Sequence, residues 1–267
     1  MSWDVYLGGL VTLLILAVLG WLISLALRNV NLVDSLWSLL FLAAAITYAG
    51  LLPETGPRAA LIMILVAAWS LRLAAHLTAR NWGKPEDRRY RAIRANHSPG
   101  FAWKSLYLVF GLQAVLAWLI SLPLHAAMVS PAPLGMLDAL GMAVVLAGLT
   151  VETLADRQLA HFKRDPANHG RVLDTGLWRY SRHPNYFGEA CVWWGFGLTA
   201  VAAGAWWALL SPLLMTFLLL RVSGVVLLER DIAERRPAYR DYVARTSAFV
   251  PWPPRKVTST DAKEARP

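Results

Sequence analysis

Apolar residues run along this chain in long blocks, separated by stretches that are either short and turn-like or long and strongly basic. A bilayer core of about 30 Å needs about 20 mainly apolar residues wound as a helix. Seven blocks have that length: Tyr6–Leu27, Val33–Leu51, Ala59–Leu77, Leu106–Met128, Met136–Ala155, Tyr186–Ala202 and Trp206–Leu228. The pattern predicts an all-α, polytopic membrane protein with seven transmembrane helices. The first block does not read as a cleaved leader. It is long, its front end carries Asp4 in place of a basic cluster, and no small-residue cleavage site follows.

Charge gives the arrangement a direction. Almost all of the 26 Lys and Arg lie in three connections, those after the third, fifth and seventh blocks. The second connection holds Arg58 alone, and the fourth and sixth hold none. Basic segments alternate with neutral ones, which predicts an outside N-terminus and a cytoplasmic C-terminus. An integral, multi-pass protein of a bacterial inner membrane is expected. Composition agrees: 57% of the residues are hydrophobic and 16% charged, against about 25% charged in soluble domains. The net charge of +9 would suggest nucleic acid on a soluble protein. Here it is the ordinary consequence of topology, so membrane lipids and no nucleic acid are the expected partners. A lone cysteine, Cys191, excludes an intramolecular disulfide framework and a cysteine-only zinc site.

Several polar side chains lie where a bilayer tolerates them poorly. Asp34, at the start of the second block, reads either as a helix N-cap or as a buried carboxyl facing the bundle, able to donate a hydrogen bond to a substrate carbonyl. Within the third block Trp69, Arg72 and His76 recur at spacings of three and four and share one face. Arg72 reads as an interhelical contact, a snorkelling side chain or an inward-pointing cation partnered by Asp34. Asp34, Arg72 and His76 are the candidate catalytic groups. Glu152, Asp156 and Lys163 form a polar stripe along the end of the fifth helix, which runs on through Gln158 and His161.

The densest chemistry is Arg182-His183-Pro184-Asn185-Tyr186-Phe187-Gly188-Glu189. Pro184 suits the first turn of a helix, where its missing N–H costs nothing, and the free N–H groups there can meet an anion. Asn185, Glu189 and Trp193 then fall on one face. An amide and a carboxylate suit an amide-bearing or ribose ligand, and the indole offers a stacking surface. Gly170 and Gly176 permit tight turns upstream. Arg171, Arg179 and Arg182 have forked donors for phosphate. Tyr239 and Tyr242, three apart, read as a cap on an adenine, as a pair that closes a cofactor pocket, or as a lipid-headgroup anchor. No HExxH pair, Walker loop or GxGxxG after a strand occurs, so any nucleotide is held by helices and loops.

The run from Gly176 to Glu189, with the tail Tyr242 to Pro251, resembles the C-terminal domain of the steroid 5α-reductase family, and more closely its bacterial branch, DUF1295. The resemblance covers most of the chain and is sharpest from Glu152 onward. It implies a seven-helix bundle that binds NADPH between its C-terminal helices and cytoplasmic loops, and a hydride transfer to an activated C=C bond of a lipophilic, steroid-like substrate drawn from the bilayer. By that resemblance Asn185 and Glu189 hold the nicotinamide end, and Asp156, Arg171 and Trp193 fall on cofactor positions; Arg182, His183, Tyr186, Tyr239 and Tyr242, read from their own chemistry and spacing, complete the candidate cofactor set. Glu152 and Lys163 stand where animal relatives have Asn and Arg. The family's Gln-Glu pair in the second helix is absent, and Trp69 lies near the expected Tyr of the third, so the resemblance does not extend to a steroid as substrate. It implies a layout in which residues 1–130 form a substrate cavity and 131–256 bind cofactor, while 257–267, polar and without periodicity, are expected to be a disordered tail. Arg182 to Tyr186, with Glu229, is also similar to the motif of membrane methyltransferases of isoprenylcysteine carboxyl and phospholipid type, which implies S-adenosylmethionine as the alternative cofactor. A non-enzymatic lipid-binding protein is the third reading.

Overall fold

The computed structural model describes residues 2–222, 224, 225, 229 and 238–255. The tail from Val257 on, and most of the segment that joins the last apolar block to Tyr239, lie outside the described residues. Every regular element among the described residues is helical. Five helices are long and apolar enough to cross a membrane: α1 (Trp3–Leu27), α2 (Leu32–Leu51), α3 (Ala59–Asn81), α5 (Phe101–Val129) and α6 (Met136–Arg164). A short helix, α4 (Arg88–Asn96), precedes α5. Helix α7 (Pro184–Ala202) and the shorter apolar helix α8 (Trp206–Val222) occupy the last two blocks. Helix α9 (Ala238–Arg245) follows. This is a multi-pass, all-helical membrane protein.

Two compact units divide the chain. The first comprises residues 1–141 and 196–211. In it α1 packs on α2 and α5, α2 on α3, and the last part of α5 on α2 and α3. The buried contacts are Leu13, Leu40, Phe41, Ala44, Tyr48, Ile62, Trp69 and Phe110, while Leu7, Val11, Ile15, Leu22 and Ile64 face outward. A helix apolar all round, like α1, suits a lipid neighbour on one side and protein on the other.

Helices α1 and α5 run antiparallel and are pinned at both ends. Tyr6 Oη donates to the Trp118 carbonyl at 2.9 Å, and Trp118 Nε1 donates back to the Tyr6 carbonyl at 2.9 Å. At the other end Trp21 Nε1 donates to the Ala102 carbonyl at 2.7 Å. Helix α5 contains a π-helical segment, Leu106–Gly111, and is interrupted at Ser121, where Pro123 starts its final stretch. Arg58 is almost wholly buried. It forks onto Asp138 at 2.7 and 2.8 Å and donates to the carbonyls of Ala132, Pro133 and Ala202.

The second unit comprises residues 142–195 and 212–267. Here α6 and α7 cross at two glycines. A Cβ on Gly148 would lie 2.6 Å from the Gly188 carbonyl oxygen, and one on Gly188 would lie 2.6 Å from the Glu152 nitrogen. Small residues let backbones approach this closely, and in lipid such packing drives helix association. The connection between the helices has left-handed turns at Gly170 (φ 80°) and Gly176 (φ 60°), which only glycine adopts at little cost. Gln158 on α6 holds it by accepting from Leu177 N, and Trp178 Nε1 donates to the Ala155 carbonyl.

Candidate functional site

The sequence places its chemistry in two groups, and each is found within one unit. In the second unit α7 begins at Pro184, as the N1 preference of proline requires. Its first turns present Asn185, Glu189 and Trp193 on one face. Opposite, α6 carries Glu152 and Asp156. Glu152, Asp156, Glu189 and Trp193 are buried, and each takes part in polar or ring contacts. Asn185 Nδ2 donates to Asp156 Oδ1 at 3.2 Å, which joins the two helices one turn from the glycine crossing. The other end of that amide, Asn185 Oδ1, is buried with no hydrogen-bond partner. A buried unsatisfied acceptor is uncommon and costly. Around this face the exposed side chains include Arg171 and Arg179, and Lys163 at the end of α6.

A second cluster lies beside the first. Arg182 Nε and Nη2 fork onto Glu229 at 2.8 and 3.0 Å, and Arg182 Nη1 donates to the Val243 carbonyl. His183 Nε2 meets Glu229 Oε1 at 2.8 Å, and Tyr239 Oη donates to the same oxygen at 3.3 Å. The His183 ring stacks on Tyr186, with centroids 5.6 Å apart. Burial pushes the Glu229 carboxyl up, but the His183 hydrogen bond and the Arg182 charge outweigh it and hold the group below its ordinary range. Tyr242 Oη donates to the carbonyls of Trp178 and Ser181, and burial pushes both the Tyr239 and Tyr242 phenols well up. The segment beyond α9 is laced to the same place: Arg182 N donates to the Ser247 carbonyl, Ser181 Oγ to Phe249 O, and Trp252 N to Tyr180 O. Arg245 pairs with Asp174.

These contacts correct three expectations. The Arg182 fork, read as a phosphate ligand, is committed on all three nitrogens to protein acceptors. The adenine-cap and headgroup-anchor readings of Tyr239 and Tyr242 do not fit, because both rings are buried and their hydroxyls spent inside the protein. A headgroup anchor needs exposure, and an adenine cap needs a free face. Glu229 is the residue that site selection from sequence passed over, although its motif partnership with Arg182-His183 was legible.

In the first unit Asp34 is neither an N-cap nor a donor. Helix α2 starts at Leu32, which places Asp34 inside the first turn. Its carboxylate accepts from Tyr90 Oη at 2.6 Å, Arg89 Nη2 at 3.3 Å and Asn81 Nδ2 at 3.4 Å, with Arg80 at 3.5 Å. With donors converging on both oxygens, the group acts as an acceptor that ties α2 to α3 and α4. The Asp34–Arg72 pair gives way to Arg80 and Arg89, which the third connection brings back over the start of α2. Nearby, Arg94 forks onto Glu86 at 2.7 and 2.8 Å, and that bond holds the Glu86 carboxyl below its usual range. Glu86 in turn accepts from Val30 N, and Asn31 Oδ1 from Asp87 N. The long basic connection is therefore an ordered helix and loop. Arg72 and His76 sit half-buried on α3, and both are engaged in polar contacts.

Among the described residues no group of three His, Cys, Asp or Glu side chains is arranged to hold a metal ion. The chain is 25% identical, over 92% of its length and 79% of the other's, to an uncharacterized protein of Schizosaccharomyces pombe. No solved structure matches it. Residues 20–246 match the model of the family described as "Protein of unknown function (DUF1295)". With most of its length inside that match, the chain belongs to the DUF1295 family.

Proposed function

We propose that this protein is a membrane-embedded reductase that uses NADPH to saturate an activated C=C bond of a lipophilic substrate taken from the bilayer. It would sit in a bacterial inner membrane with seven crossings, its N-terminus outside and its C-terminus cytoplasmic. The observation that carries the reading is the orphaned acceptor Asn185 Oδ1, buried at the α6–α7 crossing. A carboxamide N–H₂, as on nicotinamide, is the donor that such an oxygen lacks. Asp156 fixes the orientation of the amide by accepting from its nitrogen.

NADPH, when bound, would supply the hydride, and the buried carboxyls of Asp156 and Glu189 would favour positive charge on the nicotinamide side of the site. Exposed Arg171 and Arg179 provide the forked donors suited to the cofactor's phosphates. Trp193 is buried about two turns beyond Asn185 along α7. Arg182, His183, Tyr186, Tyr239 and Tyr242 act one step back, by holding the start of α7 against Glu229 and the C-terminal segment. On the substrate side, Arg72 and His76 are the groups assigned to polarising a conjugated carbonyl; Asp34 is a strut.

Thermal stabilisation of the detergent-solubilised protein by NADPH tests the assignment. Asn185→Ala should weaken NADPH binding by about tenfold, the loss of one hydrogen bond of about 1.4 kcal/mol. Unchanged stabilisation of that variant would overturn the role of Asn185. The Arg182–His183–Glu229 joint supports a second reading, because those residues are the ones shared with membrane methyltransferases. Stabilisation by S-adenosylmethionine, with none by NADPH, would establish it in place of the first.

A further inference from the structure

A cavity of about 180 Å³ opens in the first unit between the end of α1, the turn into α2, α4 and the start of α5. Its walls are of two kinds. Leu25, Val30 and Phe101 make an apolar side, and Arg28 and Arg94 stand on the polar side. Ser24 and Ser105 also line it, but each donates its proton to a backbone carbonyl, of Trp21 and Ala102. The Arg28 guanidinium and Nη1 of Arg94, whose other two nitrogens go to Glu86, are therefore the side-chain donors left for a ligand.

The two arginines are prepared differently. Arg94 is held rigid, forked onto Glu86 and laid over the Phe101 ring at 4.4 Å. Its charge is matched by Glu86. Arg28 has no acidic partner among the described residues. It is also the one non-glycine residue with positive φ among them, at φ 51° and ψ 32°. Left-handed backbone is unfavourable for a side-chain-bearing residue, and glycine is the usual choice at this position after a helix. An arginine here carries conformational strain that a glycine would relieve, while its charge, without an acidic partner among the described residues, lines the cavity. Strained positions of this kind cluster at ligand sites.

Depth identifies the ligand class. Trp103 and Tyr107 on α5 and Trp82 beyond α3 are largely exposed. Exposed indole and phenol rings mark the membrane–water boundary. Trp103 adjoins Ala102, a residue of the cavity wall, and its ring packs beside Trp21 at 5.3 Å. The cavity therefore lies at headgroup level, and Leu25 in its apolar wall is among the exposed residues of α1. We infer that Arg28, with Nη1 of Arg94 beside it, binds the phosphate of an anionic phospholipid headgroup, with the glycerol and first methylenes against Leu25 and Phe101. The cavity is too small for a dinucleotide, and the site is independent of the cofactor residues assigned above.

The test uses the full chain in nanodiscs of phosphatidylcholine, with and without phosphatidylglycerol, and native mass spectrometry for retained lipid. Phosphatidylglycerol should raise the melting temperature of the wild type and remain bound through delipidation. Arg28→Gly should fold at least as stably without added lipid and lose the lipid-dependent shift, with retention weakened about tenfold by the loss of one charged contact. Arg91→Gln, which changes an exposed cation on α4 outside the cavity, should keep both. Three results would overturn the inference: Arg28→Gly retaining the lipid as wild type does, Arg91→Gln losing as much as Arg28→Gly, or inorganic phosphate alone reproducing the full shift.

Discussion

Replacing Gly188 with alanine adds a single methyl group where α7 presses on α6. The new Cβ would stand 2.6 Å from Glu152 N, 2.7 Å from Gly148 O and 2.8 Å from Glu152 Cβ. Two of those atoms are helical backbone and cannot rotate away. Restoring ordinary contact at 3.4 Å requires α7 to retreat by about 0.8 Å, and overpacking of this kind costs about 1–3 kcal/mol. Retreat also stretches the 3.2 Å bond between Asn185 and Asp156, which starts near the outer limit of a hydrogen bond. A displacement of about 1 Å at a reacting centre can cost ~100-fold in rate. The expected result is a lower melting temperature together with lost NADPH stabilisation. Gly50→Ala on α2 is the control, because nothing lies within 4 Å of a Cβ built there. It should stabilise by about 0.4–1 kcal/mol through the unfolded chain. Should Gly188→Ala melt like the wild type and bind NADPH as well, the close crossing of α6 and α7 is wrong.

Two other outcomes follow from buried charge. Arg58→Met should destabilise by about 3–5 kcal/mol, because it strands Asp138 in a site with 1% exposure; Arg58→Met with Asp138→Leu should recover most of the loss in a chemical or thermal melt. Glu229 has a folded carboxyl held below its ordinary value of 4.5, so its contribution is complete above that pH and fades as acid carries the pH down through the folded value; Glu229→Gln should be less stable at neutral pH and should flatten the acid limb of a melting-temperature profile, and an unaltered limb would refute the Glu229 hub.

Helices were legible because length and apolarity are local properties. The start of α7 at Pro184 and the common face of Asn185, Glu189 and Trp193 also follow from spacing alone. Gly188 could be singled out in its motif, but nothing near it indicates that Gly148, forty positions earlier, supplies the opposing surface. Charge pairing was the least legible feature. With 26 basic and 17 acidic residues, many pairings are electrostatically equivalent on paper, and only the tertiary path selects among them. Asp34 seemed best matched to Arg72, yet α4 folds back to bring Arg89 and Tyr90 to it. For Tyr239 and Tyr242 the polar segment around them suggests a cofactor cap or headgroup anchor, not burial. Their burial depends on residues 246–255 being threaded along Tyr180 to Arg182.

The paired fastenings of α1 to α5 limit how the first unit can deform. Tyr6 and Trp21 stand fifteen residues apart, about 22 Å along a helix, and each grips a main-chain atom of the neighbour. A slide of either helix by one residue, about 1.5 Å, would break both grips together, and hydrocarbon offers the released groups no substitute. Axial sliding between these two helices is thereby closed off. A lipophilic substrate of the kind proposed would have to enter along another seam of the first unit.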